Sequence, residues 1–206
     1  MKPNRFAYLF LVLSLGALAC NSISSLQPAS LQTLQARTAV TQTAEVLGDL
    51  RLESGLVIGS PNTTEAFLQN NQEVQLLESF AEEQYLPEEL SLAGKTYDYT
   101  IQLDQEQTFL WGSNWCTTTE TLLRDNFKHI TFEFAVDDTP IPTNQFLVWD
   151  NPLDDMHCRF YYTRVENWPP GTTHLQIKIT FDQAINDGNA DFPAGTHTYR
   201  YAVTLP

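Results

Sequence analysis

The clearest pattern in this chain is an alternation of apolar and polar residues that recurs four times in its C-terminal half. Each stretch is eight residues long, and the four cover 96–103, 129–136, 174–181 and 198–205. Side chains of a β-strand point alternately to the two faces of a sheet, so this alternation predicts strands with one buried and one solvated face. Weaker patterns predict three further strands, at 107–112, 144–150 and 158–165.

Residues typical of turns separate these strands. They form the groups Asp137-Asp138, Pro169-Pro170-Gly171 and Asp187-Gly188-Asn189. Seven short strands in about 115 residues predict a mainly β domain over 92–206, a seven-stranded immunoglobulin-like antiparallel β-sandwich.

Two stretches depart from this pattern and predict helices. Between 117 and 127, Thr117 and Glu120 have the spacing of a capping box, which predicts a short crossover helix. Before the domain, apolar residues recur at helical spacings of three, four or seven positions, at Phe67, Val74, Leu77, Ala81 and Tyr85. With Asn62 and Glu65 as a capping box, this predicts an acidic amphipathic helix and linker over 61–91. Its apolar face would pack on the following domain or, alternatively, dock to another protein.

The first nineteen residues have the pattern of an export signal. Lys2 and Arg5 precede an apolar run over 6–19. As a helix this run spans only about 21 Å, too short for a hydrocarbon core of about 30 Å. Ala-Leu-Ala before Cys20 resembles the processing site of bacterial lipoproteins, a family in which that cysteine receives the lipid and becomes the N-terminus. We expect a signal peptide over 1–19 and lipidation at Cys20, although Ala17-x-Ala19 also suits ordinary signal peptidase, which would release the protein.

The sequence after Cys20 predicts a polar flexible tether over 20–60. Its first part, 21–44, is rich in Ser, Thr, Gln and Ala and contains no acidic residue. Lipid on Cys20 would hold the following domain outside the cytoplasm, anchored to the bacterial cell membrane, and two or more acyl chains give durable anchoring.

Charge restricts the classes of partner. The 206 residues include 11 Lys and Arg against 25 Asp and Glu, for a net charge of −14 at pH 7. The chain has no basic stripe, which argues against nucleic acid as a partner. Anionic headgroups would repel such a surface, so the only expected contact with the membrane is the N-terminal lipid.

Two cysteines remain after processing, Cys116 and Cys158. Two cysteines in an exported domain predict one disulfide. This bond would stabilise the fold by about 4 kcal/mol in the chain-entropy model. A metal site that also uses His157 is disfavoured, because neighbouring residues on a strand point to opposite faces.

One loop offers a candidate calcium site. Asp187, Asn189 and Asp191 place oxygen ligands at alternating positions, as calcium sites often do, but no glutamate closes an EF-hand loop. The same residues suit a polar hairpin in which Asp-Gly supplies a positive φ. No cofactor other than calcium is expected.

The chain has four tryptophans, Trp111, Trp115, Trp149 and Trp168. If exposed, Trp115 and Trp168 are the candidates for stacking on sugar rings; alternatively, the indoles cap the core. The chain lacks the nucleophile-elbow, zinc-protease, P-loop and dinucleotide motifs. We therefore expect no enzymatic activity.

Three segments carry a resemblance to a family. Leu-Trp-Gly-Ser-Asn-Trp-Cys at 110–116, Trp-Pro-Pro-Gly-Thr at 168–172 and Pro-Ala-Gly-Thr-His at 193–197 resemble uncharacterised bacterial lipoproteins with a C-terminal immunoglobulin-like sandwich behind a polar spacer. The resemblance covers 1–20 and 92–206, and it implies a fold and no activity.

These observations together predict a function class. We expect a lipid-anchored extracytoplasmic binding or interaction module, displayed at the bacterial cell surface, for an unknown protein or glycan. A carbohydrate-binding module and a calcium-stabilised structural domain are the alternatives. Because loops carry binding more often than strands, the expected binding surface consists of the loops 182–194, 137–144 and 150–157.

Overall fold

The structure is a computed structural model that describes residues 47–71, 74–81, 84–85 and 94–206. The predicted signal peptide, the lipidation site Cys20 and the tether up to residue 46 lie outside these residues. No helix in the described part of the chain combines the length and apolar character that a membrane crossing requires.

The described residues contain twelve strands and two α-helices. The strands are β1 Leu50–Arg51, β2 Val57–Ile58, β3 Thr96–Gln102, β4 Phe109–Thr117, β5 Ile130–Val136, β6 Thr139–Ile141, β7 Leu147–Leu153, β8 Met156–Glu166, β9 Gly171–Phe181, β10 Ile185–Asn186, β11 Asp191–Phe192 and β12 Gly195–Leu205. The helices are α1 Pro61–Asn70 and α2 Glu120–Asn126, and short 3-10 turns occupy Leu77–Phe80 and Thr143–Gln145.

Ten of these strands form two five-stranded sheets. In the first sheet, β8 lies at the centre, with β4 on one side and both β7 and β2 on the other, and β1 pairs with β2. The second sheet has the order β3-β12-β9-β5-β6. The remaining strands, β10 and β11, form a small separate hairpin.

The two sheets pack face to face around an aromatic core. Trp111 of β4 is fully buried, and its ring lies 5.6 Å from Phe134 of β5 and 5.7 Å from Phe146. Burial alternates along β5 and β9 as the sequence pattern predicts, with every second side chain in the core. The mainly β, sandwich-like fold is therefore confirmed.

Each of the seven predicted strands corresponds to a strand of the structure: β3, β4, β5, β7, β8, β9 and β12. The expected antiparallel arrangement is wrong at one place, because β3 runs parallel to β12, with Thr96 opposite Thr198. Alternation determines which side chains are buried, but it contains no information on the direction of a neighbouring strand.

Residues 47–60, which we expected in the flexible tether, belong to the sandwich. The β1–β2 hairpin joins the first sheet where Val57 pairs with Glu166 of β8. Leu56 and Ile58 are fully buried in the main core. Since only three consecutive apolar residues carry this contact, no periodicity reveals it in the sequence.

The Asp49 carboxylate attaches the same segment to the sheet. It accepts hydrogen bonds from the Ser60 N–H at 2.9 Å and the Thr63 hydroxyl at 2.6 Å, and it contacts the Arg164 guanidinium at 2.8 Å. Burial raises the pKa of Asp49, but the hydrogen bonds from Thr63 and Ser60 and the charge of Arg164 outweigh burial and lower the pKa overall.

The helix predicted over 61–91 is shorter in the structure, because α1 ends at Asn70. Ser60, rather than Asn62, is the N-cap, and its hydroxyl accepts from the Thr63 N–H at 3.3 Å. At the other end, the backbone and side-chain N–H groups of Asn71 both donate to the Phe67 carbonyl, at 3.2 and 2.7 Å. The Phe67 carbonyl, in the last turn of α1, thus has hydrogen-bond partners without a further turn of helix.

The expected packing of this helix on the following domain is correct. Leu68 of α1 is buried on the outer face of the first sheet, against Phe160 and Tyr162. The crossover helix is also present as α2, which connects β4 of the first sheet to β5 of the second. Its N-cap is Thr119 rather than Thr117, since the Thr119 hydroxyl accepts from the Leu122 N–H at 3.2 Å.

Candidate functional site: the loop end beside the disulfide

Cys116 and Cys158 form the predicted disulfide. The two residues lie directly opposite each other on the antiparallel strands β4 and β8, with a Cα–Cα distance of 4.0 Å. The bond therefore joins neighbouring strands of one sheet rather than the two sheets. Both thiols are used in it, which excludes the metal site with His157.

The disulfide marks one end of the sandwich, which we call the distal end. It consists of the β10–β11 hairpin within 182–194, the β7–β8 turn at Asp154 and Asp155, and helix α2. The Asn126 side chain of α2 donates to the Asn186 carbonyl at 2.8 Å, and the Asn189 amide lies 3.6 Å from the Met156 sulfur of β8. These contacts hold the hairpin against both α2 and β8.

The β7–β8 connection is shorter than the loop expected over 150–157. Leu153 pairs with Met156, so only Asp154 and Asp155 remain in the turn. Asp154 has a φ of 51°, a conformation that aspartate tolerates better than most residues. Most of the expected loop is therefore strand.

Asp187 organises the β10–β11 hairpin. Its carboxylate oxygen Oδ1 accepts hydrogen bonds from the backbone N–H groups of Asn189 and Ala190, both at 2.7 Å. Gly188 has a φ of +99°, and a Cβ at this position would collide with Thr118. The turn thus requires glycine for its conformation and for its close approach to the chain before α2.

The two candidate calcium-binding carboxylates, Asp187 and Asp191, both accept hydrogen bonds within the hairpin. Asp187 is 8% exposed and bound to the backbone as described, and Asp191 accepts from the Asn186 amide at 2.7 Å. In the part of the chain that the structure describes, no group of three or more His, Cys, Asp or Glu residues is arranged to hold a metal ion. The geometry corresponds to the polar hairpin that was the alternative.

The third expected loop, 137–144, is largely strand β6 and the start of a 3-10 turn, and its Asp137-Asp138 turn lies at the opposite end of the sandwich. Asp137 and Asp138 have φ values of 45° and 63°, which are typical of a type I′ turn, and they connect β5 to β6. Val136 lies six positions after Ile130 on β5, which places this turn about 20 Å from the distal end. Two of the three loops share one end, and the third does not.

Beside the Asp137-Asp138 turn lies an open depression of about 470 Å³. It is lined by Asp137, Asp138, His174, Leu175, Gln176 and Arg200. The Asp137 carboxylate accepts a hydrogen bond at 2.8 Å from the backbone N–H of His174, so it is bound to the adjacent strand β9.

The prediction that Trp115 and Trp168 form an exposed platform for sugars is wrong. Trp168 is 4% exposed, and its indole N–H donates to the Gln107 carbonyl at 3.0 Å. Trp115 is half-buried, with its ring 5.2 Å from Phe181 and 4.9 Å from Phe192. The alternative, in which the indoles cap the core, is correct. Trp115 lies four residues from Trp111 on β4 and so shares its face, but the strand predicted from the sequence ended at residue 112 and left Trp115 outside it.

The surface of the distal end is mainly acidic. Its exposed charged residues are the acids Glu120, Asp125, Asp154, Asp155, Asp182 and Asp191 and the bases Arg124 and Lys128. Lys128 pairs with Asp125 at 2.7 Å, and its hydrogen bond and charge lower the pKa of Asp125. His129 lies 2.9 Å from the Asp182 carboxylate. The distal end therefore presents a negative potential.

One cluster near this end was missed by reasoning from the sequence. Arg159 of β8 binds both carboxylate oxygens of Asp150 on β7, at 2.6 and 2.8 Å, and its guanidinium lies 4.6 Å from the centre of the Phe127 ring. The pairing depends on the register of β7 against β8, which no local pattern reveals.

No protein-family model and no curated protein matches the chain. Solved structures with similarity include PbICP-C in complex with falcipain-2, at 11% identity over 57% of this chain and 94% of that one, with a TM-score of 0.33. They also include the titin M3 domain, at 14% identity over 55% and 94%, with a TM-score of 0.25. The cysteine protease inhibitor EhICP2 from Entamoeba histolytica matches at 12% identity over 52% and 85%, with a TM-score of 0.24. Similarities this low carry no functional argument.

Proposed function

We propose that this chain is a lipid-anchored, extracytoplasmic interaction module of the bacterial cell surface. The N-terminal signal, the cysteine at position 20 and the polar tether support the anchoring. The module acts by binding a protein partner through its distal end, and it has no catalytic role.

The observation that carries this proposal is the place where the chain enters the sandwich. Gly48 accepts a hydrogen bond from the Gln145 side chain at 3.0 Å, and Val57 pairs with Glu166 at the far end of β8 from the disulfide. Glu166 lies eight positions after Cys158 on β8, roughly 27 Å in an extended strand. A tether at the N-terminus would therefore be attached at the end of the sandwich opposite the distal end, which leaves the distal end accessible to a partner.

The charge of the distal end supports a partner with a basic contact surface. The distal end has six exposed acidic residues and two exposed basic residues. A partner surface of opposite charge would associate faster and be selected over other surfaces. The same charge is repelled by anionic headgroups, which favours an orientation with this end outward.

We also propose that the sandwich is immunoglobulin-like. The order β7-β8-β4 in one sheet and β6-β5-β9-β12 in the other corresponds to D-E-B and C′-C-F-G of that fold. Helix α2 then stands in the B–C connection. The disulfide is a departure, since it joins the B and E positions within a sheet rather than B and F between sheets.

The anchoring is tested on the native protein. Mass spectrometry of the N-terminus should find a lipid-modified Cys20, and a Cys20→Ser variant should move from the membrane fraction to the culture fluid. An unmodified Cys20 on wild-type protein in the culture fluid would contradict the anchoring.

The binding surface is tested by neutralising acids at either end of the sandwich. A cell-surface protein cross-linked to the wild-type chain should be recovered in smaller amount with the variant Asp154→Asn/Asp155→Asn. The matched control, Asp104→Asn/Glu106→Gln, removes the same charge from exposed positions in the β3–β4 loop at the other end. Equal recovery with both variants would refute the distal end as the binding surface.

A further inference from the structure

Strand β3 forms one edge of the second sheet. The backbone N–H and C=O groups of its odd-numbered residues point toward β12. This follows from two flanking bonds: the Leu103 N–H donates to the Thr204 carbonyl, and the Thr198 N–H donates to the Lys95 carbonyl. The backbone groups of Asp98 and Thr100 therefore point to the open side. Such an edge is a template for another strand unless something covers it.

Two side chains cover this edge. The Gln84 amide donates to the Thr100 carbonyl at 2.9 Å and accepts from the Thr100 N–H at 3.0 Å. The Tyr85 hydroxyl donates to the Asp98 carbonyl and accepts from the Asp98 N–H, both at 3.0 Å. Each side chain thus satisfies one donor and one acceptor, as a residue of a neighbouring strand would.

Packing of the Tyr85 ring holds this cover in place. The ring meets those of Tyr97 and Tyr99 edge-on, with centres 5.4 and 5.2 Å apart, and the Lys95 ammonium lies 5.7 Å from its centre. Gln84 is exposed and Tyr85 is half-buried. Among the residues that the structure describes, the cover consists of these two side chains on a short segment, and no described strand pairs with the outer side of β3.

Without this cover, β3 would be complementary to its own copy. In an antiparallel pair centred on Tyr99, Asp98 lies opposite Thr100 and Thr96 lies opposite Gln102, so no like charges face each other. The residues are mainly threonine, tyrosine and isoleucine, which favour strands. The outward groups of Asp98 and Thr100 would then exchange hydrogen bonds across a two-fold axis.

We propose that Gln84 and Tyr85 act as a removable cap that keeps the β3 edge closed, and that the partner this edge accepts when uncapped is β3 of a second copy of the chain. The inference does not depend on the proposed binding at the distal end, because β3 lies on a lateral edge of the sandwich.

The test compares the secreted Cys20→Ser chain with the same chain carrying Gln84→Ala, Tyr85→Phe or both. Tyr85→Phe removes the hydroxyl but keeps the ring, so its fold can be verified by near-UV circular dichroism. Light scattering should report a monomer for the parent and a concentration-dependent doubling of mass for the double variant. A matched control, Gln183→Ala/Tyr161→Phe, alters the same residue types away from β3 and should remain monomeric.

The interface is located by adding Thr100→Pro to the double variant. Proline removes an outward N–H and is tolerated at a strand edge, so it should restore the monomer. A folded double variant that stays monomeric, or a dimer that persists with Thr100→Pro, would overturn the proposal. A parent chain that dimerises as strongly as the double variant would also overturn it.

Discussion

Replacement of His197 by leucine tests the effect of burying an imidazole that has no hydrogen-bond partner among the described residues. His197 lies on β12 and is 4% exposed, with its ring 5.2 Å from that of Phe181. Among the described residues, neither of its ring nitrogens has a hydrogen-bond partner. Burial lowers the pKa of His197 below the usual value near 6.5, because the charged imidazolium loses its hydration in the core.

Burial of His197 determines the sign of the effect on stability. Because the folded pKa of His197 is lowered, the unfolded chain binds the proton more readily as the pH falls below about 6.5. Above that pH, the titration of His197 therefore does not change the free energy of unfolding. Below it, the free energy of unfolding decreases by up to about 1.4 kcal/mol per pH unit until the folded pKa is reached. Leucine removes this dependence, and it also removes a buried unsatisfied polar group that costs about 1–3 kcal/mol at any pH.

Urea unfolding of wild type and His197→Leu between about pH 7.5 and 5 measures both effects. The variant should be more stable at the upper end, and the difference should increase as the pH falls. His174→Leu is the control, since His174 lies on the same sheet but is exposed on its outer face. The reasoning is refuted if wild type and His197→Leu lose stability in parallel, or if His174→Leu changes the pH dependence equally.

Three further predictions concern the distal end. The double variant Cys116→Ala/Cys158→Ala should lose about 4 kcal/mol of stability in urea unfolding, because its unfolded state is no longer cross-linked; an unchanged midpoint would contradict this. Gly188→Ala should be destabilised more than Gly55→Ala in the same assay. The two glycines have similar φ values, +99° and +96°, but only at Gly188 would an added Cβ collide with a neighbouring side chain. Equal losses of stability would show that this collision is without consequence. Thermal melting with calcium and with a chelator should give the same midpoint, because the Asp187 carboxylate is bound to the backbone; a calcium-dependent increase would restore the calcium site.

The candidate site was predictable only in those parts that depend on local chemistry. An even pair of cysteines and an Asp-Gly turn can be recognised from residue type and spacing, and the disulfide and the turn at Gly188 are both present. The two tryptophans proposed for sugar binding failed because residue type does not determine exposure. Trp168 lies on no periodic strand, so its burial depends on the surface of Phe109 that packs against it.

The boundaries of the domain show a similar division. Leu56, Val57 and Ile58 are too few to show a period, and they enter the core because the first sheet has an open position beside β8 at Val165. The helix predicted over 61–91 ends early for a local reason, the Asn70-Asn71 pair, whose side chains bond helix carbonyls at 2.8 and 2.7 Å. The apolar spacing outweighed that local signal in the prediction, whereas the described residues 74–81 place Leu77 and Ala81 in the core from a 3-10 turn and the residue after it.

The alternation of side chains along the chain by itself determined the main strands and which of their faces is buried, because the two-residue period is a property of each strand alone. Only the tertiary structure decided that β3 runs parallel to β12, that residues 47–60 complete a sheet and that the loops 182–194 and 154–155 share one end while 137–144 lies at the other. These features depend on which strands pair and in which register, and the contacts that set pairing join residues far apart in the sequence.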